Sequence, residues 1–167
     1  VNIIINNSDE KIPLIYGGSG TGYGTTGQVR IVINGGTIGY VMGSGSNGKT
    51  SNSEVVVNNG QIYCYQAGNR GSINNAKITI KGGDLEKVYA GAAPGKDGAT
   101  YKRSEIYILA GMVHFIGMGY NGGVAELGEV KGKFYTDCVA DRNQALAIGL
   151  TEIAPYATKE DIDNLFG

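Results

Sequence analysis

VRIVINGGTIGYVMGSG, residues 29–45, decides the fold, because most of the chain is this stretch written again. Near copies begin around Val1, Ser53, Ala76 and Ser104. Each couples an alternating apolar run, a polar residue and usually a glycine, a second apolar run and a glycine-rich loop. Self-similarity at such a spacing marks a repeat architecture, in which one unit buries its apolar face only against the next. Aligned on the first apolar residue, the copies give Ile3, Ile31, Val55, Ile78 and Ile106, with steps of 28, 24, 23 and 28 residues. Three further columns follow: Ile5, Ile33, Val57, Ile80, Ile108; Ile12, Ile38, Ile62, Leu85, Val113; and Ile15, Val41, Tyr65, Val88, Ile116. All twenty positions are apolar or aromatic in a chain that is 41% hydrophobic, which independent draws would produce about once in 10⁷ to 10⁸ trials.

The first run of each copy alternates, as in Ile31-Val32-Ile33, and is rich in β-branched residues, which suits a pleated strand. Two foldings of the unit compete. Each copy could be a hairpin turning at Asn34-Gly35. Alternatively each copy is one coil of a parallel solenoid, its glycines at bends that need positive φ. The outward columns favour coils. Arg30, Glu54, Lys77 and Glu105 make a row of alternating charge when stacked about 4.8 Å apart. Asn6, Asn34 and Asn58 make a row of amides able to bond along the axis before the pattern breaks at Lys81 and Leu109. Hairpins would not need such register from copy to copy.

These features resemble the parallel β-helix family, the pectate-lyase-like coils of polysaccharide-active enzymes, phage tailspikes and bacterial surface proteins. The coil length, the aliphatic stacks and the short asparagine ladder carry the resemblance over about residues 2–125. The Ile/Val-x-Gly-Gly-x-Ile pattern looks most like glycine-rich coils of surface and virion proteins. The resemblance, with the rule for parallel crossovers, implies an all-β, right-handed parallel β-helix of about five coils. A β-solenoid repeat domain is expected over residues 1–129. A non-repetitive, partly helical C-terminal cap or docking tail is expected over residues 130–167. Residues 130–135 read as a last partial strand, and residues 143–150 as helical or extended. Residues 158–167 read as a short helix capped by Thr158, with an apolar edge of Ile162, Leu165 and Phe166. Residues 157–166 are also similar to short acidic segments near the ends of phage structural proteins.

Composition narrows function. Of 167 residues 29 are glycine, placed at fixed points of the repeat, so disorder is not implied. A net charge of −1 argues against nucleic acid as the main partner. No apolar run is long enough for a membrane-spanning helix. A chain opening at Val1 with no signal peptide is expected of a mature form, a cut domain or an excised fragment alike. Cys64 and Cys138 are read as two free thiols. The glycine-rich loops lack the aspartate in every turn that calcium-binding nonapeptide repeats require, with only Asp97 present. No helix follows them to hold phosphate. They either turn the coil or present ligand-binding tips. No cofactor or metal is expected.

Catalytic signals are sparse. The single histidine, His114, aligns with Glu86 and Tyr63 in one outward polar strip, but no nucleophile triad or carboxylate cluster is visible. The expected function is therefore a non-enzymatic virion or cell-surface structural or adhesion protein. It would bind a glycan, other structural protein chains or a second copy of itself. A polysaccharide lyase or depolymerase, and a purely structural decoration module, are the alternatives. The 11 tyrosines supply amphipathic rings suited to sugar stacking and interfaces. Tyr16 and Tyr89 share an outward column with Met42 and Gln66. Tyr40 and Phe115 share another with Leu14, Cys64 and Lys87. Tyr23, Tyr101 and Tyr120 are read in loops. Candidate ligand-binding residues are Tyr16, Tyr40, Tyr63, Glu86, Tyr89, His114 and Tyr120. An apolar outward column, Ile4, Val32, Val56, then Thr79 and Tyr107, is expected to face water and to need a cover. With Ile162, Leu165 and Phe166 it forms the candidate partner interface.

Overall fold

The computed structural model describes residues 1–6, 9–18, 24–45, 48–68, 71–92, 100–119 and 128–153. Tyr23, Asp97, Tyr120, Ile162, Leu165, Phe166 and the helix read over residues 158–167 lie outside them. The strands are β1 (Asn2–Ile5), β2 (Ile12–Tyr16), β3 (Thr25–Ile33), β4 (Thr37–Met42), β5 (Lys49–Val57), β6 (Gln61–Gln66), β7 (Ser72–Tyr89), β8 (Thr100–Gly117), β9 (Glu129–Tyr135) and β10 (Thr151–Ile153). Every pairing among them is parallel. The chain is thus an all-β parallel solenoid. One ladder runs β1, β3, β5, β7, β8, β9, and a second runs β2, β4, β6 and then the distal parts of β7 and β8. The hairpin reading fails because β3 pairs with β1 and β5, whereas β4, beyond Asn34-Gly35, pairs with β2 and β6. The chain winds through about four turns.

All four aliphatic columns stack in the register aligned from the sequence: Ile3, Ile31, Val55, Ile78 and Ile106 pair in succession, as do Ile5 to Ile108 and Ile12 to Val113, and Tyr65 pairs with Val41 and Val88. They form one core in which Ile31, Val55, Ile78, Leu85, Val88 and Ile106 are 0% exposed. Each such burial contributes about 1.5–3 kcal/mol. A second cluster, Ala67, Ile73, Ala76 and Tyr101, fills the space beside it. Tyr101, read from the sequence as a loop residue, lies in β8 and is buried. Its β-strand placement follows from pairing with Ile73 one coil below.

The bend between the two ladders is a stack of glycines. Gly36, Gly60, Gly83 and Gly111 have φ of 97°, 125°, 87° and 78°. Asp84 N donates to Gly60 O at 2.9 Å and Gln61 N to Gly36 O at 2.9 Å, so the bends lie directly over one another. A Cβ on Gly83 would sit 2.7 Å from Gly60 O. Conformation and close approach therefore both exclude a side chain.

The far end is closed by the segment after β9. Val139 bridges to Val113, and Ala140 N donates to Val113 O at 2.9 Å. Residues 143–150, open to either structure in the sequence, divide: helix α1 spans Arg142–Ala147, and the chain turns at Gly149 into β10, which pairs with β9. Asp141 caps α1 by accepting from Asn143 N at 2.9 Å. Ala145 and Leu150 complete the core beside Phe134 and Val139. Gln144 Oε1 accepts from Ile116 N at 3.0 Å, satisfying an edge amide of the last full coil. Glu152 accepts from Thr136 Oγ1 at 2.9 Å and pairs with Arg142, and these contacts hold its carboxyl below the ordinary range.

Two outcomes follow. Gly83→Ala is expected to cost about 1–3 kcal/mol through left-handed strain alone, with the clash against Gly60 O adding to it; denaturant unfolding showing no loss would contradict the stacked bend. A depressed carboxyl stabilises above its ordinary pKa and loses that effect as pH falls through its folded pKa. The stability gap between the natural chain and Glu152→Gln should therefore be present near neutral pH and close below pH 4.5; a gap independent of pH in thermal melts would contradict the clasp.

Candidate functional site

The outer face of the first ladder is a ridged surface. Arg30 Nε lies 3.8 Å from Glu54, and Lys131 Nζ 3.6 Å from Glu105, within the alternating row. Asn34 Nδ2 donates to Asn6 Oδ1 at 3.0 Å and Asn58 Nδ2 to Asn34 Oδ1 at 2.8 Å, so the amide ladder is present. A second amide contact, Asn75 Nδ2 to Asn52 Oδ1 at 2.8 Å, was missed because it lies on the approach to the first run. Between the charge and amide rows runs the apolar column. Ile4 is 55% exposed, but Val32 and Val56 are only 9% and 7% exposed. This corrects the expectation of an open stripe: Arg30, Glu54 and Lys77 on one side and Asn34 and Asn58 on the other line the same groove and flank the short valines. Tyr107 is engaged within the face, donating to Glu105 Oε1 at 3.1 Å with Lys77 Nζ 5.3 Å from its ring.

The second ladder carries the more reactive face. Tyr63 is 44% exposed, and Tyr40 packs edge-on against it at 5.6 Å between centroids. Lys87 Nζ lies 5.3 Å from the Tyr63 ring centre. The Tyr63 hydroxyl beside it raises the Lys87 pKa above its ordinary value. Phe115 is exposed one coil further on and leans on Tyr89 at 5.7 Å. Tyr89 itself is buried, as are Met42, Gln66 and Cys64, and Tyr16 is half-buried. The column read as outward is therefore largely covered. Strict alternation fails here because two residues, not one, separate the inward Ile38 and Val41. Beyond the strand the chain turns against the start of the next coil, with a Cβ at Gly43 falling 2.7 Å from Ser53 Oγ. Cys64 and Cys138 are unlinked.

Beside Tyr63 an open depression is lined by Lys11, Thr37, Gln61, Asp84 and Glu86. At its edge His114 Nε2 lies 2.9 Å and 3.1 Å from the two oxygens of Asp84. That hydrogen bond raises the His114 pKa; slight burial opposes it, and the charges of Asp84 and Glu86 add to it. Tyr63, Glu86 and His114 do share one strip, because Leu85 pairs with both Ile62 and Val113, the residues preceding Tyr63 and His114. Asp84 was missed as the histidine's partner. It pairs with Met112, diagonally across from His114, and column alignment sees direct neighbours only, whereas diagonal neighbours lie within reach of long side chains. The signal available was Asp84 and Glu86 at i and i+2, on one side of a strand.

The arrangement offers exposed rings for stacking, hydrogen-bonding carboxylates and amides, and a histidine–carboxylate pair able to exchange a proton. No family model, no curated protein and no solved structure matches the chain, so the parallel solenoid stands on the strand register, and affiliation with pectate-lyase-like or phage proteins has no match behind it.

Proposed function

We propose that the protein is a non-enzymatic recognition module that binds a glycan across the face of the second ladder. The observation that carries this reading is Tyr63: a half-exposed ring, steadied by Tyr40 and Lys87, at the rim of a depression lined by Lys11, Gln61, Asp84 and Glu86. A sugar presents an apolar C–H face and a rim of hydroxyls. Exposed aromatic rings meet the first, and carboxylate, amide and ammonium groups meet the second. The solenoid backbone holds these groups at set spacings, so the ordering cost at binding is confined to their side chains. Assignment to a virion or cell surface rests on the likeness of the glycine-rich coils to proteins of those places.

One observation favours a second reading, a polysaccharide lyase or depolymerase: the His114–Asp84 pair with Glu86 beside it on the same face. A base oriented by a carboxylate is the minimal apparatus for proton abstraction.

A panel of bacterial and plant polysaccharides tests both. Binding by calorimetry is expected to weaken at least about tenfold in Tyr63→Ala, a loss of about 1.4 kcal/mol, with the melting temperature unchanged. Binding to none of the panel, or an unaffected Tyr63→Ala, would contradict the glycan reading. Release of new reducing ends that disappears in His114→Ala would replace it with the second.

A further inference from the structure

Asp84, Glu86 and His114 bring two carboxylates and one imidazole together from two consecutive coils. Their donor atoms all lie within 4.8 Å of one another, and all three side chains are exposed. We infer that this cluster is a binding site for a divalent transition-metal ion of the zinc type, stapling β7 to β8. The inference does not depend on the glycan reading.

The geometry supports it. Bonds of about 2.0–2.2 Å from a metal to nitrogen and oxygen set the donors about 3.0–3.4 Å apart. His114 Nε2 already stands 2.9 Å and 3.1 Å from the Asp84 oxygens, close to one edge of such a polyhedron. Glu86, on the same side of β7 two residues on and in the row of His114, completes a third vertex by a rotation of its exposed side chain. Asp84 leaves the glycine bend in fixed register, since Asp84 N donates to Gly60 O, so the ligand set sits on a braced backbone rather than a loop. An imidazole among the ligands selects zinc-type ions over calcium and magnesium, which prefer all-oxygen shells. On binding, the ion takes the Nε2 lone pair, and the proton now held between His114 and Asp84 passes to solvent. Three protein ligands leave at least one coordination position open. Asp84 and Glu86 also line the depression beside Tyr63, so the site borders that space.

The test uses the full chain with Zn²⁺ as probe, no saccharide present, and Cys138→Ser in every sample to remove the half-exposed thiol. Calorimetry is expected to give one saturable site. His114→Ala should weaken it more than about a hundredfold and Asp84→Asn about 10–100-fold. His114 is the single histidine, so its imidazole nitrogen resonances report directly: Nε2 should shift to a metal-bound value at one equivalent. The melting temperature should rise with Zn²⁺ in the parent and not in His114→Ala, because the ligands join separate coils. No saturable binding, binding unchanged in His114→Ala, or imidazole resonances unmoved by saturating Zn²⁺ would overturn the inference.

Discussion

Every feature of this molecule depends on main-chain hydrogen bonds that run along the solenoid axis and lay each coil in register on the one before. Asn34 N donates to Ile5 O, and Asn58 N to Ile33 O, at 2.7 Å and 2.8 Å. Once the backbone is tied this way, a residue has no choice of neighbour. It lies over its counterpart 23 to 28 positions earlier, about 4.8 Å away. Inward columns must then be apolar or aromatic throughout. Charged outward columns must alternate in sign, as Arg30, Glu54, Lys77 and Glu105 do, since like charges at that spacing repel. Where glycine bends stack, as Gly83 does on Gly60 and Gly111 on Gly83, a Cβ is excluded because the carbonyl below occupies the space.

That constraint explains what was legible in the sequence. The first run could be placed to the residue because stacking converts structure into an alignment of the chain with itself. Ile3 over Ile31 over Val55 required only that the period be noticed. The asparagine ladder was legible for the same reason. The second run was harder. Two residues separate Ile38 from Val41, so inward and outward are not set by counting in twos, and Met42, Gln66 and Tyr89 proved buried where exposure was expected. Val32 and Val56 did point outward, but neighbouring Arg30, Glu54 and Lys77 are long enough to shield them. Exposure is decided by the length of flanking side chains, which strand period does not encode. The cap lies outside the repeat, so residues 143–150 had no second copy to resolve helix from strand. Packing of Ala145 and Leu150 onto Phe134 and Val139 resolves it.

The candidate site shows the same division. Tyr63, Glu86 and His114 share a row and were joined by alignment. Asp84 meets His114 diagonally, one step outside that logic, and it is Asp84 that orients the imidazole. Other tyrosines serve the fold instead. Tyr65 is wholly interior, its hydroxyl without a partner among the described residues and its pKa raised by burial. Tyr89 and Tyr101 are buried as well. What remains at the surface, Tyr40, Tyr63, Lys87 and Phe115 beside the Asp84–His114 pair, occupies one side of one ladder. A solenoid presents side chains there in fixed rows, so the site's geometry is inherited from the stacking rather than built by loops.

The most direct test of that stacking is a set of pairwise spin-label distances from position 2 to positions 54, 77, 105 and 131, one equivalent residue per coil. In-register parallel coils predict that the distance grows by about 5 Å with each coil. Growth of about 10 Å per copy, as side-by-side hairpins would give, or distances with no order at all, would contradict the account.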